Sequence, residues 1–163
     1  MNVLVTGPEG SGTHMLAAIV RGYLGIEPID RSLPYAGTWW ANPVPAGLDR
    51  PRTYFDPATG EPFPSDTRTV VIVRRPDVTQ LALLGRKPPL AADIVQARSQ
   101  WERALAALAA MPGACWLTYE AVVTAPRTQA DNLAAWLGVE PVGSMPEVRD
   151  ENRKWLSFLE ARP

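Results

Sequence analysis

An α/β three-layer sandwich built on a parallel sheet is the fold class this sequence predicts, and three observations predict it. A short apolar strand, Val3 to Val5, runs into a glycine-rich turn (Gly7, Gly10, Gly12) that opens a helix. Thr69, Val70, Val71, Ile72 and Val73 form a continuous apolar run, the pattern of a parallel strand buried on both faces. Ala114 to Tyr119 is a further strand, and helical patterns fill the intervals. Strands alternating with helices call for a parallel sheet with helices on both faces. Right-handed crossovers then set the loops that follow the strands along one edge, where ligands bind in such sheets.

The elements follow in order. Met15/Leu16, Ile19/Val20 and Tyr23/Leu24 fall one turn apart, giving a first helix that stops near Gly25. The segment from Ile26 to Thr67 changes character, with prolines at 28, 34, 43, 45, 51, 57, 62 and 64 that exclude a long helix or a central strand. It also carries Tyr35, Trp39, Trp40, Tyr54, Phe55 and Phe63, too aromatic for a disordered linker. An ordered, irregular excursion is expected there, with a hairpin at Asp56 to Gly60, serving as cover or as an acceptor wall. A helix starts at Pro76 or Asp77 and stops between Gly85 and Pro89. A longer one runs from about Ala91 to Met111 with Ile94, Trp101, Leu105 and Leu108 on one side, until Pro112 and Gly113 break it. Further helices are expected over Pro126–Leu137, ended by Gly138, and over about Val148–Ala161.

Size and charge narrow the function classes. One domain spans 1–163, with the proline-rich excursion at about 26–67. Sixteen Lys and Arg against 17 Asp and Glu leave a net charge of −1, without the basic field that non-specific nucleic-acid binding needs. Cys115 is the single cysteine and His14 the single histidine, so neither a disulfide framework nor a zinc site is expected, and Cys115 reads as a structural thiol. Neither a signal-peptide pattern nor an apolar run of membrane-spanning length is present, so a cytoplasmic protein with no membrane partner is expected. The oligomeric state is not encoded in any pattern here.

The chemistry concentrates at two places. The strand, the glycine loop and the helix N-terminus make an anion cradle, with backbone N–H groups and the positive end of the helix dipole facing the ligand. The loop runs Gly7, Pro8, Glu9, Gly10, Ser11, Gly12, Thr13, His14. A triphosphate-binding loop reads Gly-x-x-x-x-Gly-Lys-Ser/Thr. Here Thr13 takes the lysine position and His14 the magnesium-ligand position, so the shape is kept without the groups that drive triphosphate chemistry. The second place is Arg74-Arg75-Pro76-Asp77, directly after the 69–73 strand. Where a triphosphatase strand often ends in a magnesium-holding aspartate, this one offers a planar, permanently charged fork suited to phosphate. Glu9 is expected to point away from such a ligand, and Glu120 to be structural, paired with Arg127.

These stretches resemble the sulfotransferases that use 3′-phosphoadenosine 5′-phosphosulfate (PAPS). That family's phosphosulfate loop reads approximately Lys/Arg-Ser-Gly-Thr-Thr/Ser, and Gly10-Ser11-Gly12-Thr13-His14 is similar. Its second element is a strand ending in arginine, then a proline and a helix carrying a serine. Arg74, Pro76 and Thr79 look like that element. Tyr119-Glu120, Pro126 and Leu133 to Gly138 look like its third stretch, and Asn152-Arg153-Lys154-Trp155 like its basic C-terminal one. The resemblance implies a P-loop NTPase/sulfotransferase-like fold and PAPS as donor, bound without metal. It implies donor contacts from Gly7, Gly10, Ser11, Gly12, Thr13, His14, Arg74, Thr79, Arg153 and Lys154.

The activity then expected is sulfuryl transfer from PAPS to a hydroxyl or amine on a small-molecule or glycan acceptor. His14 is the candidate catalytic residue, either as a cation replacing the loop's missing basic residue or as a neutral base for the acceptor proton. Gly10 stands where the family carries that basic residue, and Thr79 sits one place out of register with its serine. Two other readings therefore stand beside it: a nucleotide kinase or NTPase with a degenerate loop, and a non-catalytic module that binds a nucleotide or a partner protein.

Overall fold

Three strands of one parallel sheet end side by side at a single edge, and the glycine loop, Arg74 and Tyr119 follow directly from them. The computed structural model describes residues 1–32, 64, 66–85, 89, 91–109, 111 and 113–160. Its strands are β1 (Asn2–Gly7), β2 (Ile29–Ser32), β3 (Thr67–Val73) and β4 (Cys115–Thr118). Its helices are α1 (Thr13–Gly22), α2 (Pro76–Leu84), α3 (Ile94–Ala109), α4 (Tyr119–Thr124), α5 (Pro126–Leu137) and α6 (Asn152–Glu160). The sheet order is β2-β1-β3-β4, and every neighbouring pair is parallel. The chain runs from β1 to β2 on one side, then crosses to β3 on the other. The crevice between β1 and β3 is thus the point where strand order reverses, the place such sheets bind ligands.

The core follows the two-residue period of the strands. Val70 and Ile72 face a cluster with Leu16, Ile19 and Val20 of α1 and with Leu133 and Leu137 of α5. Val71 faces the other way, against Ala104 and Leu108 of α3 and Met111. Helices thus cover both faces, as the alternation of elements requires. Val70, Val71 and Ile72 are each 0% exposed, and each such side chain contributes about 1.5–3 kcal/mol of burial.

The structure departs from the sequence expectations in four places. β2 lies inside the stretch expected to be irregular. It is a four-residue edge strand, the position at which a neighbouring proline such as Pro28 does least harm. The rest of the expected excursion, with its aromatic residues and the hairpin at Asp56 to Gly60, lies outside the described residues. In α3 the buried side is Ala97, Gln100, Ala104 and Leu108, while Ile94 is 49% exposed. The two alanines supply the close-packing surface, so the face that counts most large apolar residues is not the one that packs. Tyr119 opens the short helix α4, where Thr118 Oγ1 accepts a hydrogen bond from the Ala121 N–H at 3.2 Å. The last helix begins at Asn152, later than expected.

Residues 139–150 instead return irregularly across the end of α1. The N–H groups of Val142 and Gly143 both donate to the Tyr23 carbonyl at 3.1 Å. Gly143 passes so close to α1 that a Cβ there would meet the Gly22 carbonyl oxygen at 1.9 Å. Among the described residues no helix is long and apolar enough to cross a membrane.

The junction of β1 and β3 makes one stability prediction. A Cβ on Gly7 would sit 2.2 Å from the Ile72 carbonyl oxygen and 2.4 Å from Ser11 Oγ, and the backbone of a central strand cannot give way. A Cβ on Gly138, which ends α5 at φ +72°, meets nothing within 4 Å. Gly7→Ala is therefore predicted to cost about 3 kcal/mol or more in urea unfolding. Gly138→Ala is predicted to cost only about 1–2 kcal/mol, the penalty of its left-handed backbone. Equal losses in the two variants would contradict this packing.

Candidate functional site

The N-terminus of α1, a buried arginine and a returning C-terminal segment line a cavity of about 370 Å³. Its floor is the glycine loop. Gly12 caps α1 with φ +99°, a left-handed conformation that favours glycine, and a Cβ there would meet the Tyr119 ring at 2.7 Å. The loop is tightened by the Ser11 N–H donating to the Pro8 carbonyl at 3.0 Å. The first turn of α1 contains no acidic residue. Gly10, Gly12, Thr13 and His14 all line the cavity, Thr13 buried and His14 exposed.

Arg74 forms the wall after β3 and is only 6% exposed. Its Nε–H donates to Asn152 Oδ1 at 2.6 Å and its Nη1 to the Gly10 carbonyl at 3.1 Å. Its guanidinium carbon lies 4.2 Å from the centre of the Tyr119 ring, a stacked cation–π contact. Its Nη2 is buried and finds no hydrogen-bond partner among the described residues. Leaving a buried charged donor unmade costs more than the usual 1–3 kcal/mol for a neutral one. Burial lowers the affinity of the Arg74 guanidinium for its proton, while the carboxylates of Glu120, Asp150 and Glu151 act to raise it. An arginine stays charged through this.

The third wall is the segment leading into α6. The Tyr119 hydroxyl accepts a hydrogen bond from the Glu151 N–H at 2.7 Å and donates to the Arg149 carbonyl at 3.1 Å. Pro146, Glu147, Arg149 and Glu151 line the cavity from this side, and Met15 and Ala18 from α1. Arg149 is committed to Glu147 through two contacts of 2.9 Å, which holds the Glu147 carboxyl below its ordinary range. Arg149 is thus paired with a carboxylate, whereas Arg74 bonds Asn152 and the Gly10 carbonyl and stacks on Tyr119.

The sequence-derived residues fall into three groups. Gly10, Gly12, Thr13, His14 and Arg74 come together around the cavity. Gly7 and Ser11 support them from beneath. Gly7 permits the close approach of β3, and Ser11 is fully buried with its Oγ unpartnered among the described residues. Thr79, Arg153 and Lys154 do not join the cavity lining. Thr79 is buried against Leu83 and Ala104 in a separate narrow crevice, and its hydroxyl donates back to the Arg75 carbonyl at 3.0 Å. Arg153 and Lys154 are exposed on α6, with Lys154 Nζ 5.0 Å from the Trp155 ring centre.

Two neighbouring contacts differ from expectation, and Glu9 is among the residues lining the cavity. Glu120 accepts from Asn152 Nδ2 at 3.2 Å and from the Arg75 N–H at 3.3 Å. Arg127 pairs instead with Asp131 at 3.4 Å, one turn along α5. Arg75 is turned outward onto Asp77 at 2.7 Å, so the two arginines do different work. Cys115 sits half-buried on β4, where burial pushes its thiol up from the ordinary range. Among the described residues no group of three or more His, Cys, Asp or Glu could hold a metal ion.

Sequence reasoning missed the site roles of Tyr119, Glu147, Arg149, Glu151 and Asn152. The one available signal was position, since Tyr119 directly follows a strand and Asn152 precedes the basic pair. No protein-family model matches the chain, and no curated protein matches it.

Removing the Tyr119 hydroxyl tests how the third wall is held. Tyr119→Phe keeps the ring under Arg74 and deletes both backbone contacts. It is predicted to lower stability by about 0.5–1.5 kcal/mol and to speed amide exchange at Glu151. Unchanged exchange at Glu151 would show that the hydroxyl does not hold this wall.

Proposed function

We propose that the cavity binds the phosphates of a nucleotide such as adenosine 3′,5′-bisphosphate, and that the chain is a PAPS-type sulfotransferase. The observation that carries the reading is Arg74, a buried cation with Nη2 unpartnered among the described residues, which lines the same cavity as the glycine loop at the sheet's switch point. A buried cation with a free donor edge is suited to an anionic group. A second phosphate suits the α1 N-terminus, where Gly12 and Thr13 line the same cavity. These two positions suit a ligand carrying two separate phosphates. The strand-ending arginine and the absence of a loop lysine favour this over a magnesium-bound triphosphate.

When bound, such a donor would supply a sulfuryl group, its sulfur–oxygen bond to the 5′-phosphate breaking as sulfur bonds to the acceptor's oxygen or nitrogen. The glycine loop and the α1 dipole stabilise the charge that gathers on the leaving phosphate. Arg74 holds the other phosphate and so fixes the nucleotide against the loop. His14, exposed on the cavity wall in the first turn of α1, accepts the acceptor's proton on an imidazole nitrogen. The acceptor is a small molecule or glycan bearing a hydroxyl or amine.

A second reading is a non-catalytic nucleotide-binding module. It is favoured by the carboxylates of Glu9, Glu147 and Glu151 on the cavity wall and by Thr13 in the lysine position, which leave little positive charge for a transition state. Sulfate transfer from PAPS to any acceptor removes this reading.

Calorimetric titration tests the site itself. Adenosine 3′,5′-bisphosphate is predicted to bind equally well with and without magnesium. Arg74→Ala is predicted to weaken it by about 10- to 100-fold, the value of a charge-assisted hydrogen bond. Preference for magnesium-ATP, or unchanged affinity in the variant, would overturn the assignment.

A further inference from the structure

Arg74 is held from a direction that phosphate binding alone does not require. Of its five N–H groups, Nε–H goes to Asn152 Oδ1 at 2.6 Å and one on Nη1 goes to the Gly10 carbonyl at 3.1 Å. The flat face lies on Tyr119. With one face on Tyr119 and with Nε–H and one Nη1–H engaged, the guanidinium is fixed in orientation, and Nη2 has no hydrogen-bond partner among the described residues.

Asn152 is itself fixed. It is 6% exposed, its Nδ2 donates to Glu120 Oε1 at 3.2 Å, and its backbone N–H donates to Asp150 Oδ1 at 2.9 Å. The chemistry of its neighbours determines which way the amide faces. Arginine only donates and an ionised carboxylate only accepts, so the oxygen must face Arg74 and the nitrogen Glu120. A flipped amide would set donor against donor and acceptor against acceptor. Glu120 also accepts from the Arg75 N–H at 3.3 Å, which ties this relay back to the end of β3.

The choice of an amide matters as much as its place. A carboxylate at 152 would make a stronger bond to Arg74, but it would neutralise the charge that a ligand needs and would repel Glu120. An amide orients the guanidinium and leaves its charge intact. We propose that Asn152 is the positioning residue of the anion site, fixing the Arg74 guanidinium at the cavity wall without cancelling its charge. This rests on the bisphosphate site proposed above.

A double-mutant cycle tests it, with adenosine 3′,5′-bisphosphate as the probe in magnesium-free calorimetry. Asn152→Ala is expected to weaken binding about 5- to 20-fold in the otherwise unchanged protein. In the Arg74→Ala background the same substitution is expected to change nothing further, because Asn152 acts through Arg74. A residue that merely stabilises the fold would cost the same factor in both backgrounds, and that result overturns the inference. Asn152→Asp, close in shape and so retaining the fold, is expected to weaken binding about 10-fold or more. Affinity equal to or above the unchanged protein's in Asn152→Asp would also overturn it. Unchanged protein that binds no bisphosphate overturns the site and this inference together. Binding in the unchanged protein with additive losses overturns this inference alone.

Discussion

Holding a permanently charged guanidinium out of water at the end of β3 is the constraint around which the site is organised. A side chain that is 6% exposed and cannot discharge must find its compensation nearby. Arg74 draws it from three separate parts of the chain: the Gly10 carbonyl in the first loop, the Tyr119 ring and Glu120 after β4, and Asn152 with Asp150 and Glu151 at the start of α6. None of these is adjacent to it in sequence. Forming the site and docking the C-terminal segment are therefore one event, because the residues that satisfy the arginine also anchor residues 149–152. Nη2 alone of the guanidinium nitrogens has no hydrogen-bond partner among the described residues.

Topology does the rest of the positioning. The switch in strand order between β1 and β3 opens a crevice at their C-terminal ends, and the register Thr6 against Val71 brings the glycine loop level with Arg74. Gly7 makes the approach close, since any side chain there would overlap the Ile72 carbonyl. The α1 dipole and the arginine then act on the same small volume from two sides. The return of residues 139–150 over the end of α1, pinned at the Tyr23 carbonyl, closes the third side.

Local features of this plan were legible in the sequence, and features created by tertiary return were not. The glycine loop, the strand ending in Arg74 and the helix capped by Gly138 are set by backbone geometry within a few residues, so composition and spacing reveal them. The four-residue β2 offers too short a pattern beside Pro28 to stand out. The buried face of α3 was misjudged because Ala97, Gln100 and Ala104 pack more closely than the larger apolar residues that dominate the count. Thr79 illustrates helix phase: a shift of one residue turns its hydroxyl from the cavity to its own backbone. Asn152, Tyr119 and Arg149 depend on a chain reversal some 30 residues long between Tyr119 and Arg149, which no local rule describes.

The central claim is that the β1–β3 crevice is an anion site built by the glycine loop and Arg74. The most direct measurement is a nitrogen–proton correlation spectrum of the labelled protein, titrated with adenosine 3′,5′-bisphosphate in magnesium-free buffer. The account predicts progressive shifts in the backbone amides of Gly10, Gly12, Thr13 and His14 and in the Arg74 Nε–H, with Arg153 and Lys154 unmoved. Shifts centred on α6, or a spectrum unchanged at saturating ligand, would contradict it.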